Sequence, residues 1–245
     1  MEQWADQAIV LSARAHGENG AIISLLTEHN GRHAGFVHGA QSAKKRAIVE
    51  PGSHVKAHWS ARTSDELGTF KLEPDRGMPF DVLNDRGKLG ALLSACSLCD
   101  AALPEREGHA GLYHGLCALM ESLDSDHWGA AYVMWEISLL RELGFHLELN
   151  KCAAGGDCEM LTYVSPKSGR AVSKASAEPY KEKLLSLPHF LRPVPTRADS
   201  AGDEADILTG LKMTGYFLEH WVFIHSSKGF PAPRVRFQER YERHC

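Results

Sequence analysis

Three cations stand side by side at Lys44-Lys45-Arg46, after Ser42-Ala43 and in the connection between two strand-like runs. Adjacent cations on a loop can follow phosphates without reading bases, which gives salt-sensitive binding with no sequence preference. The plainer reading of such a run is a solvated face with no ligand. Arg14, Arg32, Lys56, Arg62 and Lys71 fall on strand or turn positions that extend the same track. A single-strand site also wants aromatic rings, because any base can stack on one. The rings in this stretch are Phe36, Trp59 and Phe70, and Trp59 and Phe70 lie in the apolar register of their strands, which reads as core. Electrostatics is therefore expected to dominate any nucleic-acid contact.

Other reactive residue types yield less. Cys96 and Cys99 have C-x-x-C spacing, yet they sit in a helical pattern with one sulfur on its apolar stripe and without a βαβ context, so they read as inert buried thiols. The six cysteines, at 96, 99, 117, 152, 158 and 245, are too few and too unevenly placed for a disulfide framework. Of fourteen histidines, His220 and His225 are the best-placed pair, but no Glu stands between them as in H-E-x-x-H. A Walker loop, a G-x-G-x-x-G turn and a G-x-S-x-G elbow are all missing from the sequence. Neither ATP use nor another cofactor is expected, and the chain reads as a non-enzyme. The competing class is an enzyme whose His, Ser and Asp converge only in space, recognisable by a pocket holding a hydrogen-bonded nucleophile and base.

These side chains need a frame. Period-two alternation is clearest over His54–Arg62, with similar runs at Ala8–Ala13, Ala21–Thr27, His33–His38 and Gly68–Glu73. Turn signals at His16-Gly17, Asn30-Gly31 and Pro51-Gly52 separate them. Five short strands within about 75 residues suit a small closed barrel, which leaves no open sheet edge, and an oligonucleotide-binding (OB) barrel is the leading candidate. Past Pro79 the period becomes helical. Leu89, Leu92, Leu93, Cys96 and Leu103 form one stripe, and Leu112, Leu116, Leu119, Met120 and Leu123 a second. A third helix, about Trp128–Leu143, is apolar on nearly all sides, as the centre of a bundle would be, with Gly144 as its C-cap. After an irregular insert at about 150–195, a last long helix runs from about Asp203 to Ile224. The expected architecture is multidomain α+β: an OB-fold barrel over residues 1–78 and an all-helical domain over 79–245.

Composition sets the outer bounds. At 245 residues the chain holds one large domain or two modest ones, and 43% hydrophobic with 24% charged residues is an ordinary globular balance. A net charge of −4 excludes a surface built everywhere to grip nucleic acid, so contact must be confined to a patch. No run approaches the roughly 18 apolar residues of a membrane span, and the start MEQWADQ lacks the basic-then-apolar order of a signal peptide. A cytoplasmic, nucleoid-associated location is expected.

The motif order Ile9-Val10-Leu11-Ser12, His16-Gly17-Glu18, Leu25-Leu26-Thr27, Gly31 and Val37-His38-Gly39-Ala40 resembles the RecO family. Leu143-Gly144-Phe145 with Leu147, then Cys152, then Tyr163-Val164-Ser165-Pro166 with Gly169 resemble its helical domain, especially the alphaproteobacterial branch. The resemblance implies an OB fold followed by helices, binding of single- and double-stranded DNA, annealing of complementary strands, and partnership with RecR. It also implies contact with the C-terminal tail of the single-strand-binding protein, so that RecA is loaded on coated DNA in RecF-pathway repair. An RNA-binding role for the barrel is the alternative, because such barrels bind both polymers. Many relatives carry a four-cysteine zinc site near Cys152. Here Cys158 is displaced and the distal pair is replaced around Val172–Ala175, so Cys152 and Cys158 are at most remnants, and packing of Leu161, Tyr163 and Val164 is expected instead. Arg234, Arg236 and Arg240, with Arg243 and interleaved apolar residues, suit an acidic, hydrophobic-ended partner tail, against the alternative of a frayed basic terminus.

Overall fold

The computed structural model describes residues 1–77, 80–156, 160–193 and 203–243. Its N-terminal part contains β1 (Glu2–His16), β2 (Gly20–Thr27), β3 (Arg32–Val37), the one-turn helix α1 (Ala43–Arg46), β4 (His54–Ala61) and β5 (Thr69–Arg76). The strands are hydrogen-bonded in the order β1-β2-β3-β5-β4, with β4 paired back to β1, so the sheet closes as a barrel. Alternate residues point inward: Ala8 and Val10, Ile23 and Leu25, Val55, Ala57 and Trp59, and Phe70 form one buried cluster. Trp59 and Phe70 are core, as their register predicts. The run Ile9-Val10-Leu11 shows no alternation because both faces are covered. Ile9, Leu11 and Leu26 are buried beneath α3 (Arg86–Ala102), which packs on β1 and β2. Removal of each such side chain from water contributes roughly 1.5–3 kcal/mol.

β1 begins well before the expected Ala8. Its first half puts a carboxylate at an inward position, Asp6, and this breaks the apolar pattern. Asp6 is buried and accepts hydrogen bonds from the backbone N–H of Gln7, His29 and Asn30, from Asn30 Nδ2 and from His29 Nδ1. It therefore ties the β2–β3 turn to β1. Burial pushes its carboxyl up, but the His29 and Asn30 donors outweigh this and hold it below the ordinary carboxylate value. Asp6→Ala takes the acceptor from the half-buried turn at His29 N and Asn30 Nδ2, leaving Asn30 N only its bond to Thr27 Oγ1, and is expected to cost about 2 kcal/mol, read as a lower urea midpoint. An unchanged midpoint would show that the turn holds without it.

Beyond the barrel come α2 (Phe80–Asn84), α3, α4 (Ala110–Ser122) and α5 (Trp128–Glu142). Asp85 caps α3, accepting from the N–H groups of Gly87 and Lys88. Gly144, at φ +88°, ends α5 and lets Phe145 N donate to Leu140 O at 2.8 Å. Packing divides the chain into two compact units, Met1–Met120 with Pro231–Arg234, and Glu121–Phe230 with Val235–Cys245. The switch of period near residues 74–80 thus marks the end of the barrel, while α3 and α4 belong to the barrel's unit.

The chain beyond α4 departs from expectation in three ways. It is not all-helical, because the insert holds a three-stranded sheet, β6 (Leu161–Val164), β7 (Ala171–Ser173) and β8 (Leu185–Ser186), in the order β7-β6-β8. Leu161 and Val164 are indeed buried there. Strands of two to four residues are too short for alternation to register. α5 is not buried on all sides: Met134 is 56% exposed. Its buried Glu136 meets the Thr214 hydroxyl of α7 (Glu204–Phe217), which runs on into a π-turn at Leu218–Val222. Between them come the one-turn helix α6 (Lys174–Ala177) and residues outside the description. Finally, the basic tail is the ordered helix α8 (Ala232–Glu242), neither frayed nor a row of exposed cations. Arg234 is fully buried and Phe237 nearly so, Phe237 lying 4.7 Å from the Tyr132 ring. Arg234 is thereby withdrawn from any partner surface, whereas Arg236 and Arg240 stay exposed.

Candidate nucleic-acid interface

The outward side chains of the barrel line up across its strands. Arg14 on β1 pairs with Ile22 on β2, Ile22 with Phe36 on β3, Phe36 with Thr69 on β5, Thr69 with Ser60 on β4, and Ser60 with Gln3 on β1. This row girdles the barrel. At its Thr69–Ser60 segment opens a groove of about 780 Å³, lined among others by Trp4, His38, His58, Ser60, Thr69 and Lys71. Adjacent strands lie about 4.8 Å apart, so a long side chain on one strand reaches ligand held over the next.

The expected cations sort into three groups. Lys44, Lys45 and Arg46 are exposed on α1, and none has a carboxylate partner among the described residues. Lys45 Nζ donates to His38 O at 2.7 Å, which anchors this cation beside the end of β3. Arg14 and Lys71 are likewise exposed and without an ion-pair partner among the described residues, Arg14 in the girdling row and Lys71 on the groove wall. Lys56 and Arg62 are exposed but have acids nearby. Lys56 stands opposite Glu73 in the ladder, and Arg62 N donates to the Glu66 carboxylate at 3.3 Å.

Arg32 must be struck from the track. Its Nε donates to Leu103 O at 2.8 Å, and its Nη1 lies 3.3 Å from Glu105 and 3.6 Å from Asp100. The cation is mostly buried and neutralised, and it serves to dock the α3–α4 connection on β3. Carboxylates about 70 residues away in sequence made this invisible to local reading.

Trp4 escaped sequence reading altogether. It is partly buried and stacks on Trp59, with ring centroids 5.8 Å apart and planes at 19°. With Phe70 these rings enclose His33, whose two ring nitrogens have no hydrogen-bond partner among the described residues. Burial, and secondarily the Arg106 guanidinium, push His33 down to about 4. Arg106 itself bonds the Ser64 and Glu66 carbonyls of the β4–β5 loop.

Metal-ligating groups offer little beside this. Asp6, Glu28 and His29 converge within 4.8 Å, but both Asp6 oxygens are already engaged, Oδ2 by the His29 and Asn30 amides of the turn and Oδ1 by Gln7 N and His29 Nδ1. Cys152 is buried and its sulfur accepts from Ser173 N at 3.3 Å. Burial pushes this thiol up, yet the Ser173 donors and neighbouring amides prevail and bring it down to about 7. Cys158 lies outside the described residues, and no group of three ligating side chains converges on Cys152 among those described. Cys96 and Cys99 are wholly buried in α3; burial pushes Cys96 up to about 12 and Cys99 well above its ordinary value. His220 is engaged by the Tyr216 ring and by Tyr216 O at 2.9 Å.

No helix among the described residues is long and apolar enough to cross a membrane. Family models match both parts of the chain: Recombination protein O N terminal over residues 1–74, and Recombination protein O C terminal over residues 83–227. The chain is 48% identical over 243 residues to the DNA repair protein RecO of Rhodospirillum centenum, covering 98% of this chain and 95% of that one. It is 45% identical over 242 residues to the DNA repair protein RecO of a Ruegeria species, covering 98% of each. With the Rhodospirillum rubrum protein of the same description it shares 44% over 252 residues, 99% of this chain and 98% of the other. On these matches the chain belongs to the RecO family of DNA repair proteins.

Proposed function

We propose that this protein is a DNA-binding recombination mediator that works by holding strands rather than by making or breaking bonds. In this reading the barrel is an OB fold, binds single- and double-stranded DNA and anneals complementary strands. With RecR it helps place RecA on DNA coated by the single-strand-binding protein, whose acidic tail it contacts. The observation that carries the reading is the barrel's girdling row with unpaired cations beside it, Arg14 within it and Lys44, Lys45 and Arg46 on α1. Strand order β1-β2-β3-β5-β4 supports it, since five-stranded barrels of the OB type bind oligonucleotides on the β2–β3 face and neighbouring loops. Free cations beside a sheet face release counterions from a strand whatever its sequence, as a mediator acting at arbitrary sites requires. Two assays test it. Complementary oligonucleotides should anneal faster with the protein than without, and unlabelled DNA should displace a labelled DNA strand at least as well as RNA of the same sequence. Preferential displacement by RNA would move the barrel to RNA metabolism.

A further inference from the structure

Phe36 is the one large aromatic on the outward register of β3, and the structure surrounds it with a specific set of groups. Its ring lies against the β2 backbone at Gly20, where an added Cβ would come within 2.1 Å of Cζ. Only glycine leaves this space, so the ring is seated on the strand. The His16 and His38 rings stand at 82° to it, with centroids at 6.0 and 4.6 Å. Both histidines are exposed, at the end of β1 and just past β3. Two cations flank the cluster: Arg14, one strand beyond Ile22 in the same row, and Lys45, bonded to His38 O at 2.7 Å. No carboxylate among the described residues pairs with any of these groups.

An aromatic surface between cations matches the repeating chemistry of a single strand, in which flat bases alternate with phosphates. In a duplex the bases are stacked on each other and offer no free face. We propose that the His16–Phe36–His38 cluster is a base-stacking site for single-stranded nucleic acid. One base lies on the ring cluster while Lys45 and Arg14 take the phosphates on either side. This rests on the preceding reading and adds to it a preference for unpaired strands, which charge alone does not supply.

Phe36→Leu keeps the bulk over Gly20 but removes the π face, and Phe36→Trp keeps a π face. With labelled oligo(dT), Phe36→Leu is expected to bind about 10-fold more weakly, while Phe36→Trp retains affinity. Two further readouts separate stacking from charge. The dependence of affinity on salt should be the same for Phe36→Leu and the unaltered protein, because no phosphate contact is lost. An abasic oligonucleotide of equal length, having no base to stack, should bind both equally. If the unaltered protein binds oligo(dT) and Phe36→Leu binds it equally well, the stacking site is wrong while the DNA reading stands. If the unaltered protein fails to bind oligo(dT), the DNA reading itself falls. Should Phe36→Leu not fold, irradiation of the unaltered protein with an oligonucleotide carrying 5-iododeoxyuridine decides: cross-links on His16, Phe36 or His38 support the site, and cross-links confined to other peptides overturn it.

Discussion

Replacement of Lys44, Lys45 and Arg46 together by Ala is expected to remove up to three phosphate contacts from the single-strand complex. Each contact with a single strand contributes about 0.7 to the slope of log affinity against log salt, so the slope should flatten by about 2. Between about 50 and 200 mM salt the unaltered protein should then lose roughly 20-fold more affinity than the variant loses. Fluorescence anisotropy of labelled oligo(dT) over a salt series reads this directly. All three side chains are exposed, so stability should stay within about 0.5 kcal/mol of the unaltered protein and the effect cannot be ascribed to unfolding. A single helical turn without carboxylate partners presents these charges at almost no desolvation cost, whereas Arg32, buried against Asp100 and Glu105, cannot contribute. Arg32→Ala is accordingly expected to lower stability and to leave the salt slope unchanged. An unaltered slope in the triple variant would remove α1 from the interface.

Mild acid should destabilise the barrel through His33. This imidazole is 4% exposed, enclosed by Trp4, Trp59 and Phe70, and faces the cation of Arg106. All of these disfavour its charged form. The unfolded chain takes up a proton near the ordinary histidine value of 6.5, while the folded chain resists until about 4. Unfolding therefore binds a proton across that window. The stabilisation is complete above about pH 6.5, drains as pH falls, and reaches a total loss of about 3 kcal/mol near pH 4. Two other groups bracket the window. His29, held up by its bond to Asp6, contributes in the opposite sense and is fully exposed, so its effect is small. Asp6, held below its ordinary value, stabilises the fold at higher pH and gives this up only as pH falls through the acidic end. Urea midpoints between pH 7 and 4.5 should fall steeply for the unaltered protein and much less for His33→Leu. Equal pH dependence in the two would mean that the imidazole is not the group responsible.

The parts of this fold that were legible in the sequence are those fixed by local pattern. β4 alternates because one face is core and the other solvent, whereas the stripe expected on α3 holds only in part: Leu92, Cys96 and Leu103 are buried, but Leu93 is exposed and the packed face runs through Ala91, Ala95, Leu98 and Cys99. What escaped depends on contacts between distant residues or breaks the local rule. Asp6 put a charge at an inward position and hid the first half of β1, and with it Trp4. In α8 the density of Arg and Glu masked an ordered helix with a buried Arg234. Arg32 stands on the outward register of β3, but its partners come from α3 and the α3–α4 connection, which no period in the sequence announces. The interface was half visible for the same reason. Its cations form a run in the chain, whereas His16, Phe36 and His38 meet only through strand pairing and the turn after β3.

If a nucleic-acid strand lies on the outer face of the barrel, amide hydrogen exchange with and without oligo(dT) will locate it. Slower exchange is expected in peptides covering residues 14–22, 36–46 and 69–71, with the interior of α5 and α7 unchanged. Protection confined to the second unit, with those barrel peptides exchanging as in the free protein, would contradict that placement.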